Sequence, residues 1–252
     1  MSTSNCCLKA FEWNGTPKGH IGKLANNQCY ITSSPSPNPN TAILFIHDLL
    51  GWSFANSRIL ADHYALETNT IVYVPDFFGG ESVNHEHVLA GRFDLIDLPG
   101  FIGRKNSREI REPEIFACAR ALKSQYQKVA AVGFCYGGWA VFRLGAKEHN
   151  PPIIDCISAG HPSMMVEKDI DEVAVPVQIL APEIDQAFTE EMKMHAFTTI
   201  MKKGVPFDYQ HFPGVEHSCL VRGDEKLKGE REAMARGKNA AVAWFKQFLD
   251  DE

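Results

Sequence analysis

The sequence predicts an α/β fold, with a mostly parallel central sheet covered by helices on both faces. Two observations carry that expectation. Short apolar runs rich in β-branched residues, such as Thr41–Ile46 and residues 70–75, 128–132, 153–159 and 175–181, recur along the chain and alternate with stretches long enough for helices. The run at 128–132 also stops at Gly133-Phe134-Cys135-Tyr136-Gly137-Gly138, a glycine-rich turn followed by a proline-free helical stretch.

The elements follow in order. Residues 28–32 read as an early strand, and the prolines and small polar residues of 33–40 cannot continue it. The buried strand Thr41–Ile46 comes next, then a loop at Asp48, a helix around 57–66, and a strand over 70–75 ending in Asp76-Phe77-Phe78-Gly79-Gly80. Residues 81–111 break the rhythm before a helix over 114–125. So long a connection inside a compact domain is usually functional. It reads as a partly helical insertion overhanging Cys135, with Phe93, Leu95, Ile96, Leu98 and Phe101 turned toward a pocket; the alternative is a surface excursion packed on the sheet. Beyond the turn, a helix is expected over 139–146 and a strand over 153–159. Gly160-His161-Pro162 ends that strand, and His161 either lines the pocket or caps a loop. Strands over 175–181 and 206–212 follow, then a final helix over 232–248 packing through Ala233, Ala240, Ala243, Trp244 and Phe248. No repeat or linker divides the chain, so residues 1–252 are expected to form one domain.

The turn carries the chemistry. Gly-x-Cys-x-Gly between a strand and a helix is the nucleophile elbow of α/β-hydrolases with cysteine in place of serine. At a helix N-terminus the unpaired N–H groups and the dipole favour a thiolate, and the Tyr136 N–H would face the oxyanion formed after attack. Such folds place an acid and then a histidine downstream. Asp185 follows the strand at 175–181 and is the expected acid, with Glu183 as its rival. His217, at the end of Pro213-Gly214-Val215-Glu216-His217, read as a loop, is the expected base, with His211 as its rival.

These residues resemble the dienelactone hydrolase family of α/β-hydrolases. The matching pieces are residues 133–138, Asp185 after its strand, Gly214-Val215-Glu216-His217 and Arg222-Gly223-Asp224; Cys6-Cys7 with Gly15-Thr16-Pro17-Lys18-Gly19 resembles a eukaryotic, especially fungal, branch. The resemblance implies a Cys135–His217–Asp185 triad, an oxyanion hole from the Leu49 and Tyr136 N–H groups, and no cofactor. It also implies that Arg222 binds an anionic substrate group and that Asp48 stands where the family keeps a glutamate beside the thiol. Arg92, Arg104 and Arg108 are open candidates for a second substrate arginine.

Bulk properties narrow the alternatives. A 252-residue chain that is 44% hydrophobic can bury one substantial core. A net charge of −6 with scattered basic residues argues against nucleic acid or an anionic membrane as a partner. No apolar stretch approaches the roughly 20 residues that span a bilayer, and the polar N-terminus does not read as a signal peptide. Seven irregularly spaced cysteines suit free thiols in a reducing, cytoplasmic setting. Cys6-Cys7 lacks partners at zinc-site spacing and His85 and His87 read as a polar loop, so no metal is expected. The expected reaction is hydrolysis of a small ester or lactone through a thioester at Cys135. The alternatives are lactonisation, cyclisation or isomerisation at the same site, and a non-catalytic binding protein with a relic site.

Overall fold

The computed structural model describes residues 8–250, so Cys6-Cys7 lies outside the described residues. The strands are β1 His20–Leu24, β2 Asn27–Ser33, β3 Thr41–Ile46, β4 Ile71–Pro75, β5 Lys128–Phe134, β6 Cys156–Gly160, β7 Val177–Ile184 and β8 Phe207–Glu216. They form one eight-stranded sheet in the order β1-β2-β4-β3-β5-β6-β7-β8. β2 runs antiparallel to β1 and β4, and β4 through β8 are mutually parallel.

The helices are α1 Ala55–Glu67, α2 His85–Leu89, α3 Leu98–Lys105, α4 Arg108–Lys123, α5 Gly137–Leu144, α6 Glu167–Glu172, α7 Glu190–Ile200 and α8 Glu230–Leu249. Strand alternation divides the core into two apolar layers. Along β5, Val129 and Ala131 join the layer of Ile115, Trp139 and Ala196, from α4, α5 and α7. Ala130, Val132 and Phe134 point the other way, toward Tyr64 of α1 and Trp244 and Phe245 of α8. The two-sided cover explains why β3 and β5 read as unbroken apolar runs rather than alternating ones.

Several boundaries differ from the sequence reading. Edge strand β1 was not anticipated: three of its five residues, His20, Ile21 and Lys23, are exposed, so no buried run marks it. α4 begins a full turn before Pro113, a turn held by the tertiary ion pair of Arg108 with Asp169 and by the local pair of Arg111 with Glu114. β6 starts only at Cys156, since the Asp155 carboxylate, rather than a strand carbonyl, takes the Val129 N–H at 2.6 Å and the Lys123 ammonium. On α8 the buried face is Ala233, Gly237, Ala241, Trp244 and Phe245, while Ala243 is exposed and Ala240 and Phe248 are half-buried. Gly237 sets that rotation: a Cβ there would lie 2.7 Å from the Leu220 side chain.

The segment 81–111 carries α2, a 3-10 turn at Phe93–Leu95 and α3. Phe101 of α3 packs edge-on against Phe78, which packs edge-on against Tyr136 beside Cys135. The Tyr136 hydroxyl donates to the Asn106 carbonyl at 2.8 Å. Leu98 is buried, and Phe93, Ile96 and Phe101 are half-buried against the core, whereas Leu95 is 51% exposed and lines an open cavity within the segment.

Candidate active site

The elbow is built by close approach. A Cβ on Gly133 would lie 2.2 Å from the Gly137 carbonyl oxygen, and one on Gly137 would lie 2.3 Å from the Ile46 carbonyl oxygen. Only glycine lets β5 turn this sharply into α5 and lets α5 sit against β3. Cys135 at the apex has φ +49°, a left-handed conformation that costs an L-residue free energy and marks a position held by its surroundings.

Asp185 and His217 meet because two neighbouring strands are in register to their ends. β7 and β8 pair as far as Ile184 and Glu216, across an irregularity between Pro182 and Ile184, and the His217 N–H donates to the Ile184 carbonyl at 2.9 Å. The next residue on each strand is the acid and the histidine. Imidazole Nδ1 lies 2.8 and 2.9 Å from the two Asp185 carboxylate oxygens, which places its proton toward the acid. Asp185 is oriented in turn by the Ala187 and Phe188 N–H groups at 2.8 and 2.9 Å. The strand thus continues through Pro213-Gly214-Val215-Glu216, which the sequence reading made a loop.

His217 is completely buried. Burial alone would lower its basicity, but the charge of the Cys135 sulfur and of the Asp185 carboxylate, with hydrogen bonds to both, holds its pKa well above the ordinary imidazole value. With Nδ1 taken by Asp185, the ring meets the sulfur through its other nitrogen.

The rivals are placed elsewhere. His211 is exposed. Glu183 is exposed too, and its carboxylate accepts the Gly214 N–H at 2.6 Å. The Leu49 and Tyr136 N–H groups have no acceptor in the loop and turn hydrogen bonds of the described residues, as an oxyanion hole requires.

Asp48 and Arg222 form a fully buried ion pair, with Nε 2.5 Å from the carboxylate. The other Asp48 oxygen accepts the Leu50 N–H at 2.9 Å, and Arg222 donates to the Lys9 carbonyl at 3.1 Å. Arg222 reaches this position through the tight turn after His217, in which the Ser218 carbonyl accepts the Arg222 and Gly223 N–H groups. Of the three other arginines, Arg92 and Arg104 make exposed surface ion pairs with Asp94 and Asp97, and Arg104 lines the cavity of the insertion, whereas Arg108 is bonded to the buried Asp169 and to the Met164 carbonyl.

His161 lies within the site's first layer. Its ring packs against His217, centroids 4.9 Å apart, and against Phe134. It is fully buried, and burial first, then the neighbouring His217, push its pKa down to about 3. It therefore stays neutral at ordinary pH. Ser163, two residues on, was not singled out from the sequence; its hydroxyl lies 3.7 Å from Cys135 Sγ. Only its place just after a strand end hinted at this.

Cys135 is 1% exposed, so the sulfur is covered in this conformation. A cavity of about 270 Å³ lies within the insertion, between Val83, Asn84, Leu95, Ile96, Phe101 and Arg104, and Cys135 is not in its lining.

A mostly parallel, two-sided sheet with a strand-to-helix elbow and later acid and histidine at successive strand ends defines an α/β-hydrolase. The profile of the dienelactone hydrolase family matches residues 28–249. The chain belongs to the dienelactone hydrolase family, and with it to the hydrolases of ester or lactone type. It is 28% identical to the hydrolase tropI of Talaromyces stipitatus over 258 residues, covering 100% of this chain and 99% of that one. It is 36% identical to a carboxymethylenebutenolidase homolog of Rattus norvegicus, covering 92% and 91% of the two. Among solved structures it superposes with a TM-score of 0.66 on P91, a dienelactone hydrolase-like promiscuous phosphotriesterase from metagenomic libraries, at 18% identity and 93% and 99% coverage. Among the described residues, no helix is long and apolar enough to cross a membrane.

Proposed function

We propose that the chain cleaves a small carboxylic ester or lactone through an acyl group carried on Cys135. The observation that supports this most is the buried Asp185–His217 pair at 2.8 Å, coupled to a sulfur on a left-handed elbow. In this reading the thiol proton rests on His217, and the thiolate attacks the carbonyl carbon. The oxyanion is held by the Leu49 and Tyr136 N–H groups. His217 then gives its proton to the leaving oxygen and activates water to cleave the thioester, while Asp185 fixes the tautomer.

Arg222 supplies a cation for an anionic substrate group, which would compete with Asp48 for it. The insertion acts as a cover that must lift, since Cys135 and His217 are 1% and 0% exposed. The partner is a small molecule rather than nucleic acid or membrane. A reducing, cytoplasmic setting suits the five described cysteines, none of which is in a disulfide.

The test is to react the protein with an activated ester and locate the adduct by mass spectrometry. The reading expects one acyl group on Cys135 and none on Cys135→Ala; an adduct that persists in that variant, or turnover that survives it, overturns the assignment. A second reading is favoured by the closed site: a cover that excludes water would let a hydroxyl of the substrate itself accept the acyl group, giving lactonisation. Turnover in ¹⁸O-water separates the two, because hydrolysis puts the label into the product acid and internal transfer does not.

A further inference from the structure

The loop after β6 is fastened to the elbow at several points. The Cys135 N–H donates to the Gly160 carbonyl at 3.1 Å, and the Ser163 N–H donates to the Cys135 carbonyl at 2.8 Å. Arg108 donates to the Met164 carbonyl at 2.9 Å, and a Cβ on Gly138 would lie 2.3 Å from Pro162 Cβ. His161 and Met164 adopt φ of +35° and +57°, a region L-residues enter at a cost. Between these two strained residues sits Ser163, 8% exposed, with its hydroxyl 3.7 Å from Cys135 Sγ, hydrogen-bond range for sulfur. The loop thus spends backbone strain to set one small hydroxyl against the reactive atom.

We propose that Ser163 is a further catalytic residue, whose hydroxyl donates a hydrogen bond to the Cys135 thiolate and sets how readily that thiolate forms. The inference rests on Cys135 being the nucleophile. No proton leaves Ser163: the thiol proton passes to His217, and the Ser163 O–H keeps its own while pointing it at the sulfur. When the S–C bond forms, the negative charge moves to the carbonyl oxygen and the Ser163 hydrogen bond loses its charged acceptor. The residue therefore stabilises the resting thiolate and makes it a weaker nucleophile.

The other charged or titratable groups around the sulfur are His217 with Asp185 behind it, the neutral His161, and the Asp48–Arg222 pair from the β3 loop and the turn after β8. His161 adds no charge at neutral pH. Its two ring nitrogens have no hydrogen-bond partner among the described residues, so it does not compete for the Ser163 hydroxyl.

The test is the pH dependence of Cys135 alkylation by iodoacetamide, read by peptide mass mapping, in the wild type, Ser163→Ala and Ser163→Thr. Losing a hydrogen bond to a charged sulfur should move the acid limb of Ser163→Ala up by about one pH unit, a tenfold loss of thiolate below the midpoint. A sulfur that much more basic should react about threefold faster on the alkaline plateau. Ser163→Thr, which keeps the hydroxyl, should return both toward wild type. A Ser163→Ala profile superimposed on the wild type overturns the proposal, as does a Ser163→Thr profile that matches Ser163→Ala. A wild-type Cys135 that titrates like a free thiol, near about 8.5, instead overturns the nucleophile assignment beneath it.

Discussion

Replacing Arg222 with methionine is expected to destabilise the protein far more than removing both members of its ion pair. Asp48 and Arg222 are each fully buried, and among the described residues the carboxylate also accepts the Leu50 N–H. With charge centres roughly 4 Å apart and an effective dielectric constant of about 20, their attraction is about 4 kcal/mol. A buried pair broken on one side typically costs about 3–5 kcal/mol, because the remaining charge stays desolvated and uncompensated. With a urea slope of about 2–3 kcal/mol/M, Arg222→Met should lower the unfolding midpoint by about 1.5 M. The double variant Asp48→Asn/Arg222→Met leaves no stranded charge and should recover at least half of that loss. Urea unfolding followed by fluorescence and circular dichroism reads both. A single variant no less stable than the double would refute the reasoning, since stranded charge is its only source of asymmetry.

Further predictions concern the triad and its frame. Asp185→Asn should lower kcat by about 10³–10⁴ with KM nearly unchanged, because an amide N–H facing Nδ1 forces the wrong imidazole tautomer; steady-state kinetics on an activated ester reads it. Gly137→Ala drives a Cβ to within 2.3 Å of the Ile46 carbonyl and should cost several kcal/mol. Gly103→Ala on α3, where nothing lies within 4 Å of the added atom, should leave stability equal or raise it by up to about 1 kcal/mol; thermal melts of both compare them.

The two site histidines have opposite linkage. His161 is depressed to about 3, so between pH 6.5 and 3 the unfolded chain binds its proton and the folded one does not, and stability falls as pH falls, by about 1.4 kcal/mol per unit. His217 is raised, so its contribution is complete below about pH 6.5 and is lost as pH climbs through its folded value. His161→Phe should therefore remove about 2–3 kcal/mol of the wild type's stability loss between pH 6.5 and 4.5, measured by urea unfolding at each pH.

Much of the fold and the core of the site can be read from the chain before any coordinates. Strands β3, β5 and β7 announce themselves as continuous apolar runs because each is covered on both faces. The elbow is equally legible, because Gly133 and Gly137 occupy places where any Cβ would collide with backbone. His217 could be set above His211 because His211 falls inside the strand pattern, but the choice between Asp185 and Glu183 waited on geometry, which puts Asp185 on the imidazole. Edge strand β1 and the turn of α4 before Pro113 were not legible: the first buries too little to leave a pattern, and the second is held by an ion pair to the distant Asp169.

What the sequence determined by itself is therefore local: hydrophobic period, turn chemistry and the glycine positions, each a property of a few consecutive residues. Tertiary structure alone decided that Arg222 is paired with Asp48 rather than standing free, that Arg108 is committed to Asp169, and that Ser163 touches the sulfur. It also decided that the sulfur is covered. These are partnerships between segments far apart in the chain, and burial strengthens them by removing the water that would otherwise compete for each charge and hydroxyl.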